Sequence, residues 1–299
     1  MKSAIISSVL ATLSALSFAT QAQECAAEQW SKQQVEQYQA SGYPLAQLNL
    51  QDPIKLTACL SSTRSEIRDA LTYSAFSHWL RNEQLSKAQI RQLHDGLYQD
   101  ILSQTNDKHA VYLPFAILVY AEVLRVDRVT PYLSDEELNK SVSLVATTLT
   151  ATRDYRGFSD DIGWRHQIAH TADAVLQLVL NKRLSKAQSN QLVQALISQV
   201  SPANHRYVDG ESKRLAMPFL YAWMSGLHQQ NDMENWLDKV ASPAPLSDWG
   251  SSYKSEAGLS KRHNTRHFLL ELFKIVASND HPKLNQMQPS LLQALKQIN

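Results

Sequence analysis

The sequence predicts an all-α fold of helical hairpins stacked in series, a HEAT-like α-solenoid, and three observations carry that reading. Glycine is scarce, at 8 of 299 residues, and strand-like alternation is hard to find, whereas Leu, Ala, Gln and Ser dominate. The segment LSKAQIRQL at Leu85 to Leu93 returns as LSKAQSNQL at Leu184 to Leu192, with LSDEEL at Leu133 to Leu138 between them. Each copy sets a serine ahead of a helix with Gln or Glu three residues on, the capping-box pattern: Ser86/Gln89, Ser134/Glu137 and Ser185/Gln188. These serines stand 48 and then 51 residues apart, the size of two antiparallel helices with their turns. Such hairpins cannot bury their apolar faces alone, so they stack as one body. A closed (α/α) toroid is the rival arrangement of the same units.

Taken in order, residues 1–22 carry Lys2, an apolar stretch from Ala4 to Phe18 and small residues at Thr20 and Ala22. That is the pattern of a secretory signal peptide cleaved after Ala22, and it predicts export to the periplasm. Residues 23–299 then form a single all-helical repeat domain. Its two cysteines, Cys25 and Cys59, are expected to pair in an oxidising compartment, with two unpaired thiols as the alternative. A first helix ends at Gly42, with Pro44 just beyond it. Five hairpin units follow: about 64–104, 110–153 with Pro114 and Pro131 at helix edges or kinks, 159–200, one from Glu211 with a short second helix near 233–240, and one from about Ser255 onward. SPAPLSDWGSS, the longest irregular stretch, is expected to be a loop over one face.

Charge narrows the partners. The formal charge of +1 falls to about zero once Lys2 is removed, and nothing forms the basic stripe that nucleic acid requires. No segment after the signal is apolar enough to span a bilayer. The partner class left is a protein, a peptide or a small ligand.

The densest polar chemistry lies in RDYRGFSDDIGWRHQIAHTAD, from Arg153 to Asp173. Ser159, Asp160 and Asp161 read as a helix start, where anionic groups suit the exposed N–H groups. On the helix running on from there, with His166 at 0°, His170 falls near about +40°, Asp173 near about −20° and Gln177 near about +20°. Trp164, Ile168, Ala172, Val175 and Val179 take the opposite, buried face, so the histidines are expected to face away from the core. Arg156, Trp164, His166, His170, Asp173, Glu211 and Arg214 are the candidate groove. His166, His170 and Asp173 have the helix-face spacing to ligate one divalent metal such as zinc, although no Glu stands between the histidines as a metalloprotease would need. The plainer expectation is no cofactor, with both histidines holding adjacent hairpins in register.

Other motifs are weighed the same way. RHNTRH at Arg262 to His267, with Glu271, gives a second polar stripe opposed by Phe268, Leu269, Leu272 and Val276. Two repeat steps separate it from the first histidine pair. Arg214 is expected to pair with an acid of the preceding unit, Asp173 or Asp161, or else to offer its planar fork to a carboxylate or phosphate. Trp164, Trp223, Tyr155 and Tyr221 either line a groove or fill the core. Gly-rich phosphate loops, a Gly-x-Ser-x-Gly elbow and a Cys/His pair are absent.

Several of these residues also carry a resemblance. RGF at Arg156 to Phe158 and GWRHQIAHTAD at Gly163 to Asp173, together with SGYPL, SSTRSEIRDAL and ESKRLA, resemble the bacterial family catalogued as Domain of Unknown Function 2785. Thr171 departs from the pattern, which more often has glycine there, and the export signal is a second departure. The resemblance implies a helical repeat and brings no activity. The function expected is therefore an exported scaffold binding a protein, peptide or other ligand. A metal-dependent or acid/base hydrolase or lyase using His166, His170 and Asp173, in its most concrete form acting on polysaccharide, is the alternative, and whether the chain is an enzyme stays open.

Overall fold

A serine at the head of a helix accounts for much of the local architecture. In the computed structural model, which describes residues 24–298 other than 49, 51 and 203, the expected capping boxes all form. The Ser86 and Ser185 side chains accept from the N–H groups of Gln89 and Gln188 at 3.3 Å, and Ser134 accepts from Glu137 at 3.2 Å. Ser31 caps the first helix in the same way. The expected signal peptide falls on residues 1–22, which lie outside the described residues.

After α1 (Lys32–Ala40), which closes at Gly42 with φ +79°, two 3₁₀ stretches lead to a helix whose first half, Glu66–Tyr73, is π-wound. It continues as α2 (Ser74–Arg81). The remaining helices are α3 (Lys87–Leu102), α4 (Tyr112–Val129), α5 (Asp135–Ala151), α6 (Gln167–Val179), α7 (Lys186–Gln199), α8 (Glu211–Met224), α9 (Gln230–Ala241), α10 (Glu256–Ala277) and α11 (Pro282–Ile298). The chain is all-α apart from two short strands, β1 (Phe158–Ser159) and β2 (Gly163–Trp164), paired antiparallel. Pro114 sits in the first turn of α4, where its missing N–H costs nothing, and Pro131 lies just past that helix. The stretch after α9 is irregular as expected, and anchors itself by burying Trp249, whose Nε1 donates to the Ala241 carbonyl at 2.9 Å.

Helix packing follows chain order. The Glu66–Arg81 helix, α4, α6, α8 and α10 each pack on the next, and so do α3, α5, α7, α9 and α11. Helices of the second row cover the first: α3 lies on α4, α5 on α6 and α7 on α8. α4 is deeply enclosed, its residues Leu113 to Leu124 all buried. At the N-terminal end the expected disulfide joins Cys25 to Cys59 across 34 residues, a closure worth about 4 kcal/mol in the chain-entropy account. No helix among the described residues is long and apolar enough to cross a membrane.

Candidate functional site

The segment joining α5 to α6 does not begin a helix at Ser159. Residues 158–164 form the β1–β2 hairpin instead, and α6 starts only at Gln167. Contacts from distant parts of the chain override the local capping signal. Arg68, fully buried in the π-wound turn, donates from Nη2 to the Ile162 carbonyl at 3.0 Å. Arg165 reaches the His109 carbonyl from Nε at 2.9 Å and Ser159 Oγ from Nη1 at 3.0 Å. The Asp209 carboxylate accepts the Phe158 N–H at 3.2 Å, and it approaches so closely that a Cβ on Gly157 would lie 1.9 Å from its oxygen. Gly163 turns the hairpin with φ +78°.

Two expectations are corrected by this geometry. His166 is not on the helix; it is the residue before it, held at φ 57°, ψ 38° by its N–H to the Arg156 carbonyl at 3.1 Å and by its own carbonyl, which accepts from His170. A residue with a Cβ rarely adopts this left-handed conformation, which costs about 1 kcal/mol or more. Nor do the histidines face away from the interior: both are buried, because α6 lies between α4 and α8 and its polar stripe turns toward those neighbours. Ile168, Ala172, Val175 and Val179 are buried as expected, but Trp164 sits on β2 and is 38% exposed.

The consequence is a compact polar cluster under an aromatic cover. Trp164 stacks on the His166 ring at 4.8 Å, and Phe158, 51% exposed, meets Trp164 edge-on at 5.1 Å. Across from His166, its Nε2 stands 3.6 Å from Glu211 Oε1. Both atoms are fully shielded and have no hydrogen-bond partner, and the same holds for Ser212 Oγ on the next residue. Glu211 Oε2 is engaged, accepting the Asp209 N–H at 2.9 Å. Burial works against ionising the Glu211 carboxyl, but the facing imidazole and the N–H groups of Glu211 and Asp209 outweigh it and hold the group below the usual glutamate range.

His170 lies behind this couple, its ring 6.0 Å from that of His166 and 5.1 Å from Phe115. Its Nδ1 is 3.1 Å from the Pro114 carbonyl, which can only accept, so Nδ1 carries the proton. Burial first, and then the charges of Arg214, His166 and Arg68, push this imidazole well below the usual histidine range. His170 is therefore neutral, and its Nε2 lone pair has no partner among the described residues. The expected ion pair between units also forms: Arg214 Nε donates to Asp173 Oδ1 at 2.9 Å. Similar links join Arg81 to Glu122 and Arg128 to Gln177, so the first-row helices up to α8 are tied pairwise. Arg156 stays outside the cluster, its exposed guanidinium on Asp154.

As metal ligands, His166, His170 and Asp173 do not converge; among the described residues no group of three or more His, Cys, Asp or Glu side chains is placed to hold a metal ion. The second histidine motif fastens a loop. Asn264 accepts the Tyr207 N–H at 2.9 Å and donates to the His205 carbonyl at 2.7 Å, while His263 Nε2 donates to the Tyr207 carbonyl at 3.3 Å. His267 stays on α10 beside Glu271 at 3.8 Å, with α8 between α10 and α6. Of the four aromatic candidates only Trp164 is exposed: Trp223 is buried with its Nε1 on the Lys283 carbonyl, and Tyr155 and Tyr221 are half-buried. Asp209 carries no signal in the sequence, Phe158 enters only through the RGF of the resemblance, and Arg68 lies within SSTRSEIRDAL as a charge among the buried positions Ile67 and Leu71.

Comparison with known proteins adds one finding. A family model described as "Protein of unknown function (DUF2785)" matches residues 97–273, which takes in α4 to α9, the hairpin and most of α10. The SGYPL and SSTRSEIRDAL segments lie upstream of the matched region. No curated protein and no solved structure matches the chain.

Proposed function

Since the chain belongs to the DUF2785 family, which has no established activity, we propose a function from the site itself: an exported helical-repeat binding protein whose ligand site is the hairpin-covered end of α6 and α8. The observation that carries this is the unpartnered couple of His166 Nε2 and Glu211 Oε1 beneath two exposed aromatic rings. A buried polar atom without a partner costs about 1–3 kcal/mol, and a left-handed histidine adds strain. A fold that only needed register between helices has the ordinary ion pairs for it, as Arg214 and Asp173 demonstrate. Meanwhile the β1–β2 hairpin is fixed from three directions, by Arg68, Arg165 and Asp209, in a way that leaves Phe158 and Trp164 in solvent. Helix pairing that runs along each row in chain order supports an open α-solenoid as the scaffold, and the disulfide suits an oxidising, periplasmic destination.

One observation favours acid/base chemistry as a second reading. His170 is neutral, oriented by the Pro114 carbonyl through Nδ1, and keeps its Nε2 free, as a general base requires. In this hydrolase or lyase reading, His170 is the base and the His166–Glu211 couple the positioning partner.

Native mass spectrometry of the protein purified from its own compartment tests the binding reading. The wild type is expected to retain a small-molecule adduct that is lost in Trp164→Ala and in His166→Gln, while thermal melts keep both variants folded. An adduct equally present in both variants would overturn it.

A further inference from the structure

Resting on that binding reading, we propose that the ligand is a neutral, hydroxyl-bearing ring, a sugar unit, that stacks on Trp164 and Phe158 and places one hydroxyl against both His166 and Glu211. Charge argues first. The four guanidinium groups around the site are engaged: Arg68 with Asp69 and the carbonyls of Ser62 and Ile162, Arg165 with the His109 carbonyl and Ser159, Arg156 with Asp154, and Arg214 with Asp173. A phosphate or carboxylate would have to take one of these guanidinium groups from its partner, and a cationic ligand would compete with His166 for Glu211 and with the Phe158 N–H for Asp209. The site is matched to a ligand without net charge.

Donor and acceptor chemistry argues next. The unpartnered couple consists of an imidazole nitrogen and a carboxylate oxygen 3.6 Å apart. With hydrogen bonds of about 2.8 Å on each side, a single oxygen fits in contact with both. Only a group that both donates and accepts satisfies them together: a hydroxyl gives its proton to Glu211 Oε1 and takes the N–H of His166 Nε2. A carbonyl or an ammonium serves one and leaves the other unpaired.

The aromatic cover argues last. Phe158 and Trp164 are two of the few large apolar side chains left in solvent, and Val208, 74% exposed, stands next to the Asp209 that holds the hairpin. A sugar presents C–H groups on its ring faces and hydroxyls at its edge, so it pairs apolar rings with a polar couple in a way that water alone does not. The couple lies beneath the Trp164 ring, so entry requires that ring to lift away from His166. Trp164 emission therefore reports occupancy.

The disulfide-intact mature chain is titrated with maltopentaose, cellopentaose, tripolyphosphate and tetra-alanine. The Trp164 signal is taken as the difference between wild type and Trp164→Phe. A neutral oligosaccharide is expected to change that signal saturably. Glu211→Gln should weaken its binding at least tenfold, and so should Phe158→Ser, which alters only an exposed residue and keeps the test valid if the buried variant fails to fold. If tripolyphosphate or the peptide changes the signal and neither sugar does, the sugar assignment is overturned and the binding reading stands. If no probe changes it and the purified protein carries no adduct, both are overturned.

Discussion

Arg68 and Ile162 stand 94 positions apart in the chain, and the guanidinium of the first, fully shielded from solvent, donates to the carbonyl of the second at 3.0 Å. The same side chain donates to the Ser62 carbonyl at 3.1 Å and to Asp69 Oδ1 at 2.6 Å, and lies over the Phe115 ring at 4.5 Å. It joins the π-wound turn, α4 and the hairpin through one planar group. Replacing it with methionine keeps the bulk and removes the donors, leaving two carbonyls and a carboxylate short of partners. Arg68→Met is expected to cost about 3 kcal/mol or more by urea unfolding. Amide exchange across residues 158–164 should rise more than in α10. Equal protection of the hairpin in both proteins would refute this account of what holds it.

Gly157 tests the same hairpin from its other side. A Cβ there would lie 1.9 Å from one Asp209 carboxylate oxygen and 2.9 Å from the Asp209 Cβ, so rotation of the carboxylate alone does not make room. Gly157→Ala should displace the 208–210 turn and with it Glu211 at the head of α8. The expected outcome is a loss of about 1–3 kcal/mol, together with weakened ligand binding. Gly157→Ala combined with Asp209→Gly should recover part of the stability, because the clash is relieved. No recovery in the double variant would show that the clash is not the cause.

How much of this was legible in the sequence depends on how local each cause is. Capping boxes use four consecutive residues, so Ser86, Ser134 and Ser185 marked their helices correctly, and unit lengths followed. The Arg214–Asp173 pair was legible because opposite charges recurred in consecutive units. The start of α6 was not, since Ser159, Asp160 and Asp161 carry an ordinary helix signal that loses to Arg68, His109 and Asp209, all about fifty or more residues away. The burial of His170 was hidden for a different reason. A helical wheel assumes one buried face, whereas α6 has helices on both flanks as well as α5 behind it, so its polar stripe is interior too.

His170 gives the sharpest pH dependence. Its folded-state pKa lies well below the ordinary value of about 6.5, through burial first and then through the charges of Arg214, His166 and Arg68, with the Pro114 carbonyl opposing them. Above pH 6.5 the imidazole is neutral in both folded and unfolded chains, and the full stability is present. As pH falls below 6.5 the unfolded chain takes up a proton that the folded chain refuses. Stability then declines by up to about 1.4 kcal/mol per pH unit until the folded pKa is reached. His228, also lowered by burial, adds a similar but separate contribution, whereas Glu211, lowered from 4.5, loses its contribution only in more acid solution. Urea midpoints for wild type and His170→Gln between pH 7.5 and 5 separate these terms, because glutamine can still donate to the Pro114 carbonyl without titrating. The variant is expected to keep the His228 part of the slope and to lose the rest. Identical slopes would mean that His170 takes up its proton as readily folded as unfolded, and a general base with a free Nε2 would lose its physical basis.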